Sequence, residues 1–455
     1  MGALTAFARS RWGVRLRSAR AIERRRDRGI RRLLDDRLPR APRYAHGYTA
    51  LAEIPVVDKR AVLDDFAGCN VLGIDLAQAL DAARAAERSR DFGALLPGGV
   101  TVGLSSGTSG SPGVFLVDSG ERAEWAGTVL GRLLDRRSLR QLVQPWRPPV
   151  RIAFCLRANS TLYETVASRR LDFAFVDLVA AFAEVRDDVA RAAPDVLVAP
   201  ASILAELARA TRAGELAIAP RTVVSVAEVL DPRDSELIEA AWGVRPRRVY
   251  QATEGLLAID CAHGRLHLNE PGVVVEREWL DEERRRFTPI VTDLERRTQL
   301  VVRYRLDDVL RVAEREERCP CGDPAALIEQ VEGRADEVVT LEGADGGSVR
   351  VFPDTVRRAM ALALAEAGAG AGQGADWRMH WSPGLVEVRL QAEGSCRVSL
   401  ELGVRAAFDE LAATVGATAP EVRFAPWAEP SPGDKLVRIR RADAPIASRT
   451  GGGSS

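Results

Sequence analysis

Lysine is nearly absent from this chain of 455 residues. Of 64 Lys and Arg residues, only Lys59 and Lys435 are lysine. Arginine stands wherever a generic positive charge suffices. A position that stays lysine is then a candidate for what arginine cannot supply, a compact ammonium on a thin stem. Long apolar runs are missing too, and none approaches the ~18 residues of a membrane span. The N-terminal arginines are not followed by the apolar core of a signal peptide. Met1-Gly2 is followed by Ala6, where myristoylation needs Ser or Thr. The expectation is a cytoplasmic protein with no membrane partner. Six cysteines in so long a chain make no disulfide framework, and in a reducing compartment some read as ligands or core. Net charge is also absent, with 64 acidic residues against 64 basic ones. Nothing global therefore points to nucleic acid. Residues 9–43 are rich in Arg, but Glu23, Asp27, Asp35 and Asp36 interleave them, as on a solvated helix face.

What is present is ordinary globular material: 46% hydrophobic and 28% charged residues, enough for two to four units. Residues 6–40 and 74–92 read as helical. From residue 100, strand candidates (152–156, 173–178, 196–199, 222–227, 248–250) alternate with helical stretches (119–136, 161–169, 179–192, 201–213, 232–242). That alternation implies an α/β domain with a largely parallel sheet. Residues 264–312 turn to hairpin-like β. Beyond Gly333 the pattern resets to a small α+β unit, with strands expected at 338–341, 349–352, 386–391 and 397–402 and a helix at 354–366. The fold class expected is thus α/β, a large N-terminal domain with mixed sheets plus a small, mobile C-terminal α+β domain. The boundaries expected are 1–334, with an Arg-rich helical lead-in over 1–50, then 335–445, and a flexible tail over 446–455.

Residues 105–113, SSGTSGSPG, carry no apolar side chain. Gly lets the backbone approach an anion closely, while converging N–H groups and hydroxyls supply donors. The stretch is either a phosphate-binding loop or a plain hairpin turn. It is not a Walker loop, which ends in Gly-Lys-Ser/Thr. Further along come Tyr250-Gln251-Ala252-Thr253-Glu254-Gly255, Arg303-Tyr304-Arg305-Leu306-Asp307-Asp308, Gly333-Arg334-Ala335-Asp336-Glu337 and Pro432-Gly433-Asp434-Lys435.

In this order these stretches resemble the motifs of adenylate-forming enzymes: acyl-CoA synthetases, peptide-synthetase adenylation domains and luciferase. Ile54-Pro55-Val56-Val57-Asp58-Lys59, Leu156-Arg157-Ala158-Asn159-Ser160 and Val224–Leu230 extend the resemblance to the phenylacetate–CoA-ligase-like branch, over about residues 50–440. It implies that Ser105, Ser106, Gly107, Thr108, Ser109 and Gly110 cover the ATP β- and γ-phosphates, and that Thr253 and Glu254 meet the α-phosphate and Mg²⁺. Tyr250 and Gln251 would line the nucleotide site, with Asp308 accepting from the ribose hydroxyls and Arg334 near ribose and phosphate. Asp336 would be the hinge, and Lys435 would bridge the carboxylate and the α-phosphate. The chemistry is consistent, because two anions meeting at a pentavalent phosphorus need fixed positive charge. One departure is Gly113, where many relatives carry Lys. Arg157, Asn159 and Tyr163 are the polar candidates for the acyl pocket.

Cys261, His263, His267, Cys319 and Cys321 form a second constellation. Thiolates and imidazole suit tetrahedral Zn²⁺. The ligand set expected is Cys261, Cys319, Cys321 and one His, with His267 better oriented and His263 still open. With no open position, the metal would be structural.

The function expected is an ATP- and Mg²⁺-dependent ligase. It forms an acyl-adenylate from a small carboxylic acid, releases pyrophosphate, and passes the acyl group to CoA or to an acyl or peptidyl carrier protein. The alternatives are an amine acceptor, or a nucleotide-binding protein without the transfer step.

Overall fold

The computed structural model describes residues 2–13, 18–89, 93, 95–104, 113–156, 168–313, 318–334, 337–344, 346–366, 376–392, 394–428 and 437–442. The chain divides into a first unit of residues 1–306 and 310–331 and a second of residues 307–309 and 332–455. Among the described residues no helix is long and apolar enough to cross a membrane.

The first unit opens with helices α1 (Ala3–Trp12), α2 (Ala19–Arg32), α3 (Lys59–Asp64) and α4 (Leu76–Ser89). The hairpin of β1 (Thr101–Leu104) and β2 (Val114–Val117) follows, then α5 (Ser119–Leu133) and α6 (Arg136–Val143). Strands β3 (Val150–Leu156), β4 (Leu171–Asp177), β5 (Val196–Pro200), β6 (Thr222–Val226) and β7 (Arg247–Ala252) then alternate with α7 (Phe182–Ala192), α8 (Ala201–Arg212) and α9 (Pro232–Trp242). These five strands run parallel in the order β4-β3-β5-β6-β7. The parallel run expected from the sequence is therefore present.

The helices supply one face of the core through Val185, Val189, Leu204, Leu207, Leu237 and Ile238, packed on Ala153, Cys155 and Leu197. The other face carries Val129, Leu133 and Leu134 against Ile152, Val198 and Val224. Such two-sided burial explains why these strands read as continuous apolar runs.

Beyond β7 the sheet turns antiparallel through β8 (Gly255–Asp260), β9 (Leu266–Leu268), β10 (Val273–Trp279) and β11 (Arg286–Asp293). It also takes in β12 (Tyr304–Arg305), β13 (Asp308–Val312) and β14 (Leu327–Arg334), making 12 strands in all. Val57 bridges Tyr304 in parallel, which ties the Ile54–Lys59 stretch to the sheet. Helix α1 lies close on α5. A Cβ at Gly127 would run into the Ala3 carbonyl oxygen, so glycine is required there. The Arg-rich lead-in is therefore only partly a solvated face. Ala6, Ile22 and Leu33 are buried.

The second unit holds the hairpin β15 (Val339–Glu342) and β16 (Ser348–Val351), helices α10 (Pro353–Glu366) and α11 (Gly394–Val415), and strands β17 (Trp377–Ser382), β18 (Leu385–Leu390), β19 (Glu421–Ala425) and β20 (Ile439–Arg441). The last four form a sheet in the order β19-β18-β17-β20. One expectation fails here. Residues 397–402 are not a strand but lie inside α11. The alternation of Val398, Leu400 and Leu402 is misleading, because Leu400 is buried while Val398 and Leu402 are exposed. The true buried stripe is Leu400, Val404, Phe408 and Leu411, a helical spacing.

Candidate functional site

The β7–β8 hairpin positions the first group of candidates. Ala252 pairs with Gly255, so Thr253 and Glu254 are its two-residue turn. The Thr253 hydroxyl donates to Glu254 Oε2 at 2.8 Å, which orients the carboxylate. Gly255 is needed for packing as well as for conformation. Its φ is +156°, and a Cβ there would meet Asp293 Oδ2 at 2.6 Å. Tyr250 packs its ring against the core containing Val57 and Tyr304. Gln251 Oε1 accepts from the Trp125 indole N–H at 2.8 Å.

A residue that sequence reasoning missed sits beside this turn. Arg296 Nη1 donates to the Leu116 carbonyl at 3.0 Å, and Nη2 donates to the Thr253 carbonyl. Its guanidinium stacks on Phe115, 5.8 Å from the ring centre. It thereby joins β2, which follows the hydroxyl-rich loop, to the Thr253–Glu254 turn. Burial pushes the Asp293 carboxyl up, and Arg296 is the cation opposing that shift. The loop carrying Arg296 is clamped to α5. Glu121 Oε1 accepts from the Thr298 N–H at 3.0 Å, and the Thr298 hydroxyl donates to Glu121 Oε2 at 2.8 Å. In the sequence Arg296 was one arginine among many, and only its neighbours distinguish it.

In the second unit Arg334 ends β14 and donates to Asp307 Oδ2 at 3.1 Å. Asp308, next in sequence, begins β13 and is half-buried. The structure therefore brings Arg334 to the Asp307–Asp308 pair. Arg303, in the same motif, is structural. Its guanidinium holds Glu276 at 2.7 Å and the Ile54 carbonyl at 2.6 Å. Lys59 opens α3, which Asp58 caps by accepting from the Ala61 N–H at 2.8 Å. Ser105 to Gly110, Arg157, Asn159, Tyr163, Asp336 and Lys435 lie outside the described residues.

The cysteine constellation comes together. One ligand atom each from Cys261, His267, Cys319 and Cys321 lies within 4.8 Å of the others. Cys261 and Cys319 sulfurs are 3.6 Å apart, and Cys321 Sγ is 3.4 Å from His267 Nε2. A tetrahedral zinc with Zn–S bonds of ~2.3 Å sets sulfurs about 3.8 Å apart, so the donors fit the ion. His267 is buried on β9, and its Nδ1 faces the Ala325 carbonyl at 3.2 Å. That contact fixes the ring with Nε2 toward the thiols. His263 is exposed, and it is its backbone N–H that approaches Cys261 Sγ, at 3.4 Å. Geometry therefore selects His267 over His263. Cys69 and Cys155 are core thiols, which burial pushes up to about 11 and about 12.

No family model matches the chain, and no curated protein matches it. Solved structures do. 2-Hydroxyisobutyryl-CoA ligase in the postadenylation state superimposes with a TM-score of 0.61 at 16% identity, covering 93% of this chain and 89% of that one. The same ligase in complex with 2-HIB-AMP gives 0.59 at 17%, covering 94% and 89%. This chain has the adenylate-forming fold. An open conformation of the ligase, with 2-HIB-AMP and CoA, matches less closely, at 0.51 and 16%, with 93% and 91% covered. The adenylate-forming likeness thus runs through both units of the chain.

Proposed function

We propose that this chain is an ATP-dependent ligase that activates a small carboxylic acid as its acyl-adenylate. The observation that carries the reading is coverage. The fold of a ligase whose structures hold an acyl-AMP extends over 93% of this chain, and the motif residues of that chemistry occur here in order. In the reaction a carboxylate oxygen attacks the α-phosphorus. The bond from that phosphorus to the bridging oxygen breaks, and pyrophosphate leaves.

Thr253 and Glu254 are proposed to meet the α-phosphate, with Glu254 as the Mg²⁺ carboxylate. The ion would supply charge neutralisation on the phosphates. Asp308 is proposed for the ribose diol, because a carboxylate only accepts and both hydroxyls can donate. Arg334 would serve beside it. The loop of Ser105 to Gly110 would cover the β- and γ-phosphates, and Arg157, Asn159 and Tyr163 would line the acyl pocket. Gly113 leaves no lysine after the loop, and we assign that charge to Arg296, which links β2 to the Thr253 turn. Residues 335–445 would carry Lys435, and the acceptor would be CoA or a carrier-protein thiol. Cys261, His267, Cys319 and Cys321 would hold a structural zinc.

The test is ATP–pyrophosphate exchange over a panel of carboxylic acids, with Asp308→Ala alongside. The variant should bind ATP more weakly by roughly 1–3 kcal/mol, the loss expected for charge-assisted hydrogen bonds. ATP binding by wild type without pyrophosphate exchange on any acid of the panel would end this reading in favour of a nucleotide-binding protein, and unchanged ATP affinity in the folded variant would remove Asp308 from the ribose.

A further inference from the structure

A cavity of about 550 Å³ in the first unit is lined by α1, the last turn of α5 and three of the four zinc candidates, Cys261, His267 and Cys321. Five arginines face it: Arg9, Arg11, Arg25, Arg132 and Arg247. Two are matched by carboxylates, Arg9 by Glu124 at 2.9 Å and Arg25 by Glu295 at 2.7 Å. Among the described residues the other three have no carboxylate at ion-pair distance.

Arg11 Nη1 donates to the Leu134 carbonyl at 2.7 Å, and Arg247 Nη1 to the Leu133 carbonyl at 2.9 Å. Both guanidiniums therefore sit on the carbonyl end of α5, where the helix dipole favours cations. Arg11 Nη1 also donates to the Gly131 carbonyl at 3.3 Å, which leaves its Nε and Nη2 unused by described residues. Arg247 Nη2 donates to the Arg132 carbonyl at 3.1 Å and to the Asp260 carbonyl, so its fork is spent on backbone. Arg247 Nε is buried and has no partner. Arg132 donates no hydrogen bond to any described residue, and the negative groups acting on it are Asp323 and Cys321. Arg11 and Arg132 both work against the charge on Arg247. The acids lining the cavity have other partners, though Asp260 also acts on Arg247 and Asp323 on Arg132. Asp260 holds Arg248 at 2.9 Å, Glu295 holds Arg25, and Asp323 Oδ1 accepts from the Ala325 N–H at 3.0 Å.

We propose that this cavity binds a small organic phosphate monoester, its dianion held by Arg132 together with Arg11, with the charge of Arg247 behind them. Arg132 offers a whole guanidinium fork to phosphate oxygens, and Arg11 adds its Nε and Nη2 N–H groups, which bond no described residue. The volume lies within the ~300–1,000 Å³ of small-molecule pockets. The arginine cluster is distinct from the nucleotide candidates. Glu254 precedes β8 and Cys261 follows it, which separates them by about 20 Å at ~3.3 Å per strand residue.

The experiment is calorimetry on the full zinc-loaded chain with glucose 6-phosphate and inorganic phosphate, and with glucose as control. Wild type should bind both phosphates but not glucose, with ATP saturating its own site. Arg132→Gln should weaken glucose 6-phosphate binding at least about tenfold, and Arg132→Lys by less. Arg132 bonds no described residue, so Arg132→Gln should keep its Tm and its pyrophosphate exchange. Asp308→Ala should bind glucose 6-phosphate normally. Failure of wild type to bind either phosphate overturns the proposal, as does equal affinity in Arg132→Gln. Loss of zinc from Arg132→Gln with phosphate binding unchanged also overturns it, since Arg132 would then serve as countercharge to the thiolates.

Discussion

At the scale of single residues, the chain's avoidance of lysine shifts work onto arginines with fixed surroundings. Arg303 grips a carboxylate and two backbone carbonyls, Ala52 and Ile54. Arg296 is different, because among the described residues its guanidinium has only carbonyls and a ring as partners. Asp293 acts on it only through space, and a cation so held is preorganised, which suits charge that develops in a transition state. Arg296→Gln should slow pyrophosphate exchange on the order of a hundredfold. Losing its bonds to the Leu116 and Thr253 carbonyls should cost stability by about 1–3 kcal/mol. Exchange rates per folded molecule separate the two effects. A rate loss that vanishes after correction for the folded fraction would make Arg296 purely structural. Nothing in the sequence marked this residue, since Glu295-Arg296-Arg297 reads as any charged turn. Thr253, Glu254 and Asp308 stood out because their neighbours form an ordered pattern.

At the scale of elements, strands and helices buried on regular faces were legible. Val196–Pro200 and Thr222–Val226 are apolar runs bounded by turns, and they are strands. Helix α11 was not legible, because an exposed Val398 and Leu402 flank a buried Leu400 and imitate a strand's period of two. The Cys/His cluster was legible in its residue types but not in the choice between two histidines. That choice depended on β9 presenting His267 inward, and strand direction is a tertiary fact. The cluster ties the Cys261 turn and β9 to the Cys319–Cys321 segment, 58 residues from Cys261. A metal closing so long a loop would contribute its binding energy to folding. About one zinc per chain should be found by elemental analysis of protein purified without chelator. Chelation should then lower Tm by several degrees, since a 1 kcal/mol loss moves Tm by roughly 2–4 °C in a domain of 150–250 residues and by somewhat less in a larger one. Zinc retained after both Cys319 and Cys321 become Ser would show that the ligands lie elsewhere.

At the scale of the whole molecule, the proposed division of labour rests on Lys435. It belongs to the second unit, which is defined by residues 307–309 and 332–455, and it is itself outside the described residues. The adenylate-forming resemblance assigns it to the first half-reaction, with the unit turning near Asp336 before acyl transfer. A lysine so used should matter once per cycle. Lys435→Ala should slow pyrophosphate exchange on the order of a hundredfold or more, the cost of one preorganised charge at about 3 kcal/mol. Transfer from supplied acyl-AMP to a thiol should stay close to wild type. Pro430, Pro432 and Gly433 flank it, and such a setting suits a surface loop, so stability should barely change. Lys435→Arg is the sharper variant. A planar fork cannot take the place of a point charge between two oxygens, so arginine should rescue poorly. In a chain that uses arginine almost everywhere else, full activity of Lys435→Arg would mean that this lysine persists by chance. Normal exchange in Lys435→Ala would remove the residue from the adenylation step altogether. A joint loss of exchange and transfer would mean that Lys435 serves both half-reactions, against the division proposed.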